Sequence, residues 1–180
     1  IADEVLPGNG PAAVADYILR AIENTKLPPD QGDRRRVLLG QTADGHSLEM
    51  AVHGRIILVA GDPRSGKSWV TALFCEQLIL QGYCLCVIDP EGDYGPLEAL
   101  PGVVVFGGDE APPRLSDVGR ALRYPDISVV IDLSQSTHAE KVDYLGALLP
   151  MLAGLRRNTG QPHWIVVDEA HYFLHEANFK

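Results

Sequence analysis

Cysteine is scarce in this chain: three residues in 180, at Cys75, Cys84 and Cys86. An odd, clustered set is not a disulfide framework, and it suits a chain kept in a reducing cytosol. Cys84 and Cys86 alternate along an apolar stretch, which puts both thiols on one strand face as small buried hydrophobes. Long apolar runs are absent. None approaches the roughly 18–20 residues that a membrane helix needs, and Ile56–Ala60 is of strand length. No basic leader followed by an apolar stretch is visible, although the first residue is Ile1 and not Met. Positive charge is short as well, with 15 Lys and Arg against 24 Asp and Glu and a net charge of −9. That balance excludes a domain whose whole surface grips nucleic acid, but not a local basic groove or a positively lined pore. Aromatics make up only 7 %. No RNA-recognition pattern or zinc knuckle appears, and Trp69, Tyr83, Phe106, Tyr144 and Phe173 are expected in the core.

What is present is globular: 46 % hydrophobic and 22 % charged residues, over a length that suits one domain with a short appendage. Residues 1–33 read as an N-terminal helix and linker, with helical spacing from Ala12 to Asn24 and a Pro-rich break after Leu27. Residues 34–180 read as the main domain. Arg34-Arg35-Arg36 is a solvated run, and Val37–Leu39 with His46–Val52 forms a hairpin around Asp44-Gly45. Strands then alternate with helices. Strands are expected at Ile56–Ala60, Leu85–Ile88, Val103–Phe106, Ile127–Leu133 and Trp164–Val167. Helices are expected over Lys67–Gln81, from the Ser116-Asp117 cap to about Tyr124, and over Thr137–Asn158, where Gly146, Pro150 and Gly154 are breakpoints. The pattern predicts an α/β fold, a mostly parallel sheet with helices on both faces and function at the carboxyl ends of its strands.

Gly61-Asp62-Pro63-Arg64-Ser65-Gly66-Lys67-Ser68 satisfies G-x-x-x-x-G-K-[ST] between a predicted strand and a predicted helix. The residue types follow from the chemistry. The glycines let the backbone wrap so that successive N–H groups face one anion, and the helix N-terminus adds partial positive charge. Gly61, Arg64, Ser65, Gly66, Lys67, Ser68 and Trp69 are therefore expected to hold the phosphates of ATP. Lys67 reaches the β and γ phosphates, and Ser68 ligates Mg²⁺. The second candidate group is Asp168-Glu169 at the end of Trp164–Val167. Asp168 is expected to hold the magnesium and Glu169 to polarise the attacking water. Read alone, an acid pair after a strand is more simply a helix N-terminus; the phosphate loop in the same sheet favours the catalytic role.

A third acidic stretch, Asp89-Pro90-Glu91-Gly92-Asp93-Tyr94, follows the second strand. Together with the phosphate loop and Val167-Asp168-Glu169-Ala170-His171-Tyr172-Phe173, it resembles the HerA/FtsK class of P-loop ATPases, closest to the helicase HerA central domain. The resemblance covers about residues 37–180. It implies a RecA-like ASCE core that hydrolyses ATP, works as a hexameric ring and acts on double-stranded DNA. It also implies that Lys67 and Ser68 are the phosphate-loop pair, Asp168 the Walker B acid and Glu169 the catalytic base. Asp89, Glu91 and Asp93 would lie near the nucleotide without assigned roles. The sensor strand and arginine finger of that class have no counterpart before Lys180, which makes the domain incomplete at its C-terminus. The chain is accordingly expected to bind nucleotide better than it turns it over. Arg156 and Arg157 are read as a solvent-facing helix end rather than a finger, and His171 with His175 as a surface pair rather than zinc ligands. Residues 1–25 resemble, more weakly, the C-terminal end of a Cof-type haloacid-dehalogenase-like phosphatase. Two other functions remain open here: a nucleotide-dependent regulatory switch, and a small-molecule phosphotransferase.

Overall fold

The computed structural model describes residues 36–52 and 55–173. The N-terminal helix and linker, the Cof-like segment, Arg34, Arg35 and His175 lie outside the described residues. Strands β1 (Arg36–Gln41) and β2 (Ser47–Ala51) form the antiparallel hairpin expected around Asp44-Gly45, with Gly45 at φ +85°. The hairpin is sewn to the first helix, α1 (Lys67–Leu80), by the side chains of Gln77 and of Gln81 at its C-cap, whose Nε2 donates to the Arg36 carbonyl at 2.9 Å. The Leu38 N–H donates to Gln77 Oε1 at 3.0 Å, and Gln77 Nε2 donates to the Leu38 carbonyl at 2.6 Å. An amide side chain thus serves β1 as a further strand would.

Four parallel strands make the main sheet: β3 (Leu85–Asp89), β4 (Val103–Gly107), β5 (Ser128–Asp132) and β6 (Trp164–Val167), in the order β4-β5-β3-β6. Helix α1 leads into β3, a 3₁₀ turn at Gly95–Ala99 joins β3 to β4, and α2 (Leu115–Ala121) and α3 (His138–Thr159) make the next two connections. Period-two alternation divides the core. Cys84, Cys86, Ile88, Val129 and Ile131 face the layer of α2 and α3, whereas Leu85, Val87 and Val130 face Phe74 and Leu78 of α1. Both faces are covered, so β3 is buried throughout and reads as a continuous apolar run. The shared face of Cys84 and Cys86 is as expected. Burial pushes the Cys84 thiol up to about 11 and the Cys75 thiol to about 12, which makes both inert neutral hydrophobes at neutral pH.

Three local expectations need correction. Helix α2 begins before Ser116, with Arg114 at its N-cap and no side-chain cap, and it ends at Ala121; burial of Val118 and Leu122 against the sheet sets its position. Helix α3 runs unbroken through Pro150. Its buried face of Leu145, Leu148 and Leu152 spans the proline and holds both halves in line, and a Thr137–Glu140 capping box starts it. The third correction is larger. Ile56–Ala60 is not a strand: it joins no ladder, and Ile56 and Leu58 are 102 % and 85 % exposed. Among the described residues β6 pairs on one side only, with β3. Ile57–Ala60 and Trp164–Val167 line one groove, so open space stands between the apolar run and the free edge of β6 and no ladder forms there.

Candidate functional site

The phosphate loop has the backbone its sequence requires. Gly66 stands at the N-cap of α1 with φ +92°, a left-handed conformation that suits glycine. A Cβ on Gly61 would lie 2.7 Å from Ser65 Oγ. The first α-helical bond of α1 runs from the Val70 N–H to the Gly66 carbonyl at 3.0 Å. The N–H groups of Lys67, Ser68 and Trp69 therefore precede the helical ladder and open outward from the helix end. The Lys67 ammonium donates to the Asp62 carbonyl at 3.1 Å and makes no ion pair among the described residues. A half-buried cation whose partner is a neutral carbonyl has charge to offer an anion.

Asp168 follows β6, whose ladder with β3 is extended by an Asp168 N–H bond to the Ile88 carbonyl at 3.1 Å. One groove of about 570 Å³ is lined by Gly61, Lys67 and Thr71 on one side and by Asp168, Glu169 and His171 on the other. Lys67 and the acid pair thus line one groove. Arg64, Ser65, Gly66, Ser68 and Trp69 do not line it. Trp69 is 75 % exposed, which corrects its expected place in the core. Asp168 Oδ2 is buried without a hydrogen-bond partner among the described residues. Burial raises the Asp168 pKa above the ordinary aspartate value. The charges of Glu169, Asp89 and Asp93 raise it further, while the Glu169 amide pulls the other way.

That raised proton affinity has a stability consequence. An acid that is harder to ionise in the fold than in the unfolded chain favours the fold at low pH. The contribution is lost as pH rises from the ordinary aspartate range through the raised folded value. Asp168→Asn is thus expected to melt higher than the parent at neutral pH without nucleotide, and equally at about pH 2. Thermal unfolding at both pH values measures it.

Glu169 takes a left-handed backbone, φ +44° and ψ +42°, unusual for a residue with a side chain, and its Oε2 lies 3.0 Å from His171 Nδ1. Strained backbone beside a carboxylate at a strand end is the kind of geometry that functional sites retain. The His171 contact was not expected from sequence, where His171 stood only as a partner of His175. Two other residues escaped the sequence reading. Asp132, which pairs with Asp89 in register, turns its carboxylate back to the Ser134 N–H at 2.8 Å. Lys141 of α3 clamps the acidic turn by donating to the Pro90 carbonyl at 2.7 Å. An acid closing β5 was the available signal for Asp132; nothing in the sequence marks Lys141.

The turn after β3 is built on Asp89. This carboxylate is fully buried, with Oδ1 accepting from the N–H groups of Glu91, Gly92 and Asp93 and Oδ2 from that of Tyr94, at 2.8–3.3 Å. Asp89 shapes the turn, and Glu91 and Asp93 remain exposed on it.

With that geometry in place, the match to the model of the family "Helicase HerA, central domain" over residues 57–162 is decisive. The chain belongs to that family. No curated protein and no solved structure matches it. The matched span of this HerA-family chain takes in the phosphate loop, α1, the Asp89 turn, β4, β5 and α3, and it ends before β6. Asp168 and Glu169 therefore stand on the groove they share with Lys67. An α/β fold with an all-parallel sheet accords with the family, and membership makes this an ATPase-type domain. Among the described residues no helix is long and apolar enough to cross a membrane.

The residues present fit magnesium and a nucleotide. Among the described residues no three His, Cys, Asp or Glu gather as a metal site. A phosphate-loop magnesium is held by one carboxylate, one hydroxyl, water and the phosphates themselves, so it does not require such a cluster. Asp168, with its unpartnered buried oxygen, and Ser68 are the residues that would hold it.

Proposed function

We propose that this is the ATP-binding and ATP-hydrolysing domain of a cytosolic DNA translocase or helicase that works as a ring of identical subunits. The observation that carries the reading is the groove lined by Asp168, Glu169 and Lys67, whose ammonium makes no ion pair among the described residues. Family membership supports the ATPase part, and the HerA/FtsK resemblance of the three motifs supports DNA and the ring.

The residues divide the work. Backbone N–H groups from Gly66 to Trp69 bind and orient the phosphates, and Lys67 neutralises charge on the terminal ones. Ser68 and Asp168 would hold magnesium, which would supply Lewis-acid polarisation of the phosphoryl oxygens. Glu169 accepts a proton from the attacking water. His171 Nδ1 lies 3.0 Å from Glu169 Oε2 and so engages one of the two oxygens of the carboxylate that acts as the base.

The test is steady-state phosphate release from Mg-ATP, with and without duplex DNA at low salt. Glu169→Gln is expected to lower turnover about a hundredfold while leaving Mg-ATP affinity unchanged. DNA is expected to stimulate the parent enzyme in a salt-sensitive manner. Equal turnover by Glu169→Gln would remove the assigned base, and hydrolysis indifferent to DNA would favour a nucleotide-dependent switch.

A further inference from the structure

Among the described residues two buried side-chain polar atoms have no hydrogen-bond partner: Asp168 Oδ2 and the hydroxyl of Tyr94. Buried polar atoms are nearly always paired, so two orphans call for an account of where their bonds go. The Asp168 oxygen belongs to the site already described. The Tyr94 hydroxyl has no role there.

Both residues are placed by the same two positions of β3. The Asp168 N–H donates to the Ile88 carbonyl at 3.1 Å, and the Tyr94 N–H donates to Asp89 Oδ2 at 2.9 Å. Tyr94 is 1 % exposed and packs between β3 and α1, with Phe74, Cys75 and Leu85. Burial raises the proton affinity of the Tyr94 phenol and of the Cys75 thiol, and in each the Asp168 charge raises it further. The Thr71 hydroxyl tempers the phenol without closing a hydrogen bond to it, and its own proton goes to the Lys67 carbonyl at 2.9 Å. One unspent donor therefore stands within electrostatic reach of one unspent anionic acceptor. A hydrogen bond to a carboxylate is about twice as strong as one to a neutral oxygen, which favours Asp168 over Thr71 as its partner.

We infer that Tyr94 is the positioning residue of Asp168: its hydroxyl donates to Oδ2, directly or across a buried water, and fixes the carboxylate for magnesium. A carboxylate offers about four lone-pair sites, so this bond leaves the others to the metal and its water. Tyr94 does not line the groove, so it acts through Asp168 and not on the nucleotide. The turn built on Asp89 is thereby tied to the acid that holds the metal. The inference rests on the magnesium role proposed above for Asp168.

Two measurements test it. The first is urea unfolding of the 180-residue chain at neutral pH, without nucleotide or metal, for the parent, Tyr94→Phe, Asp168→Ala and the double variant. With the hydroxyl paired to Asp168, Tyr94→Phe is expected to lower the folding constant about tenfold in the parent. Once Asp168 is replaced by alanine, the same change is expected to cost less than about twofold. An unpaired hydroxyl gives the opposite sign, because phenylalanine then removes a buried orphan and stabilises the parent; that result overturns the inference. An equal loss in both backgrounds overturns it too, and assigns the bond to Thr71.

The second measurement is Mn²⁺ retention by the ADP complex, followed by electron paramagnetic resonance. Tyr94→Phe is expected to weaken Mn²⁺ binding about tenfold. Metal-free ADP affinity should stay within about twofold, since the phosphate loop is untouched. General damage to the fold would lower both together. Unchanged Mn²⁺ affinity overturns the positioning role. A parent that binds metal-free ADP but no Mn²⁺ overturns the metal assignment of Asp168, and the positioning role with it. Uncoupled unfolding beside normal Mn²⁺ binding by the parent overturns the inference alone and leaves the proposed function standing.

Discussion

Asp89→Ala should lower the free energy of unfolding by about 4 kcal/mol, a large part of what a domain of this size possesses. The carboxylate accepts four backbone N–H groups and is itself wholly shielded from solvent. Hydrogen bonds to an ionised acceptor are worth about 1.5–3 kcal/mol each but do not add fully, because water can re-enter part of the exposed turn. Asp89→Asn should cost about 2 kcal/mol, since one oxygen remains while the new NH₂ faces an N–H donor. Urea unfolding reads both. The midpoint should fall with the slope unchanged, because the denatured state is the same. A loss below about 1 kcal/mol for alanine would mean that the turn finds other acceptors.

Lys67→Ala should weaken Mg-ATP binding by two to three orders of magnitude, about 3–4 kcal/mol, by removing a charge-assisted contact to phosphate. The same change should leave stability within about 0.5 kcal/mol, since among the described residues the side chain's hydrogen bond goes to the Asp62 carbonyl on an exposed loop. That separation identifies a binding residue. A structural lysine would shift the melting temperature and the affinity together. Mg-ADP should lose less than Mg-ATP, because the terminal phosphate that Lys67 reaches is absent from it. Calorimetric titration of both nucleotides against parent and variant decides the matter, and equal affinities would overturn the site assignment.

The sequence was most legible where one physical signal sufficed. Trp164–Val167 was read to the residue, because a tryptophan and three β-branched residues between His163 and an acid pair leave no other period. Gly82 marked the end of α1 for a comparable reason, as its φ of +82° is one that few other residues accept. The phosphate loop was legible from the spacing of its glycines. Ile56–Ala60 had the same apolar signature as the true strands, yet pairing depends on a neighbour far along the chain, and a run of residues does not reveal its neighbours. Asp89 was legible as acidic and near the site, but burial turned it into a turn-builder, a matter of tertiary position. The Glu169–His171 contact depends on a left-handed residue that no propensity foretells.

The bare margin of β6 has a practical consequence. A parallel strand whose outer edge is unpaired among the described residues, beside five apolar residues open to water, is a template on which any extended polypeptide can nucleate. Handling of this chain should therefore be limited by protein concentration more than by temperature, and turbidity should grow with a seeded lag rather than at a melting point.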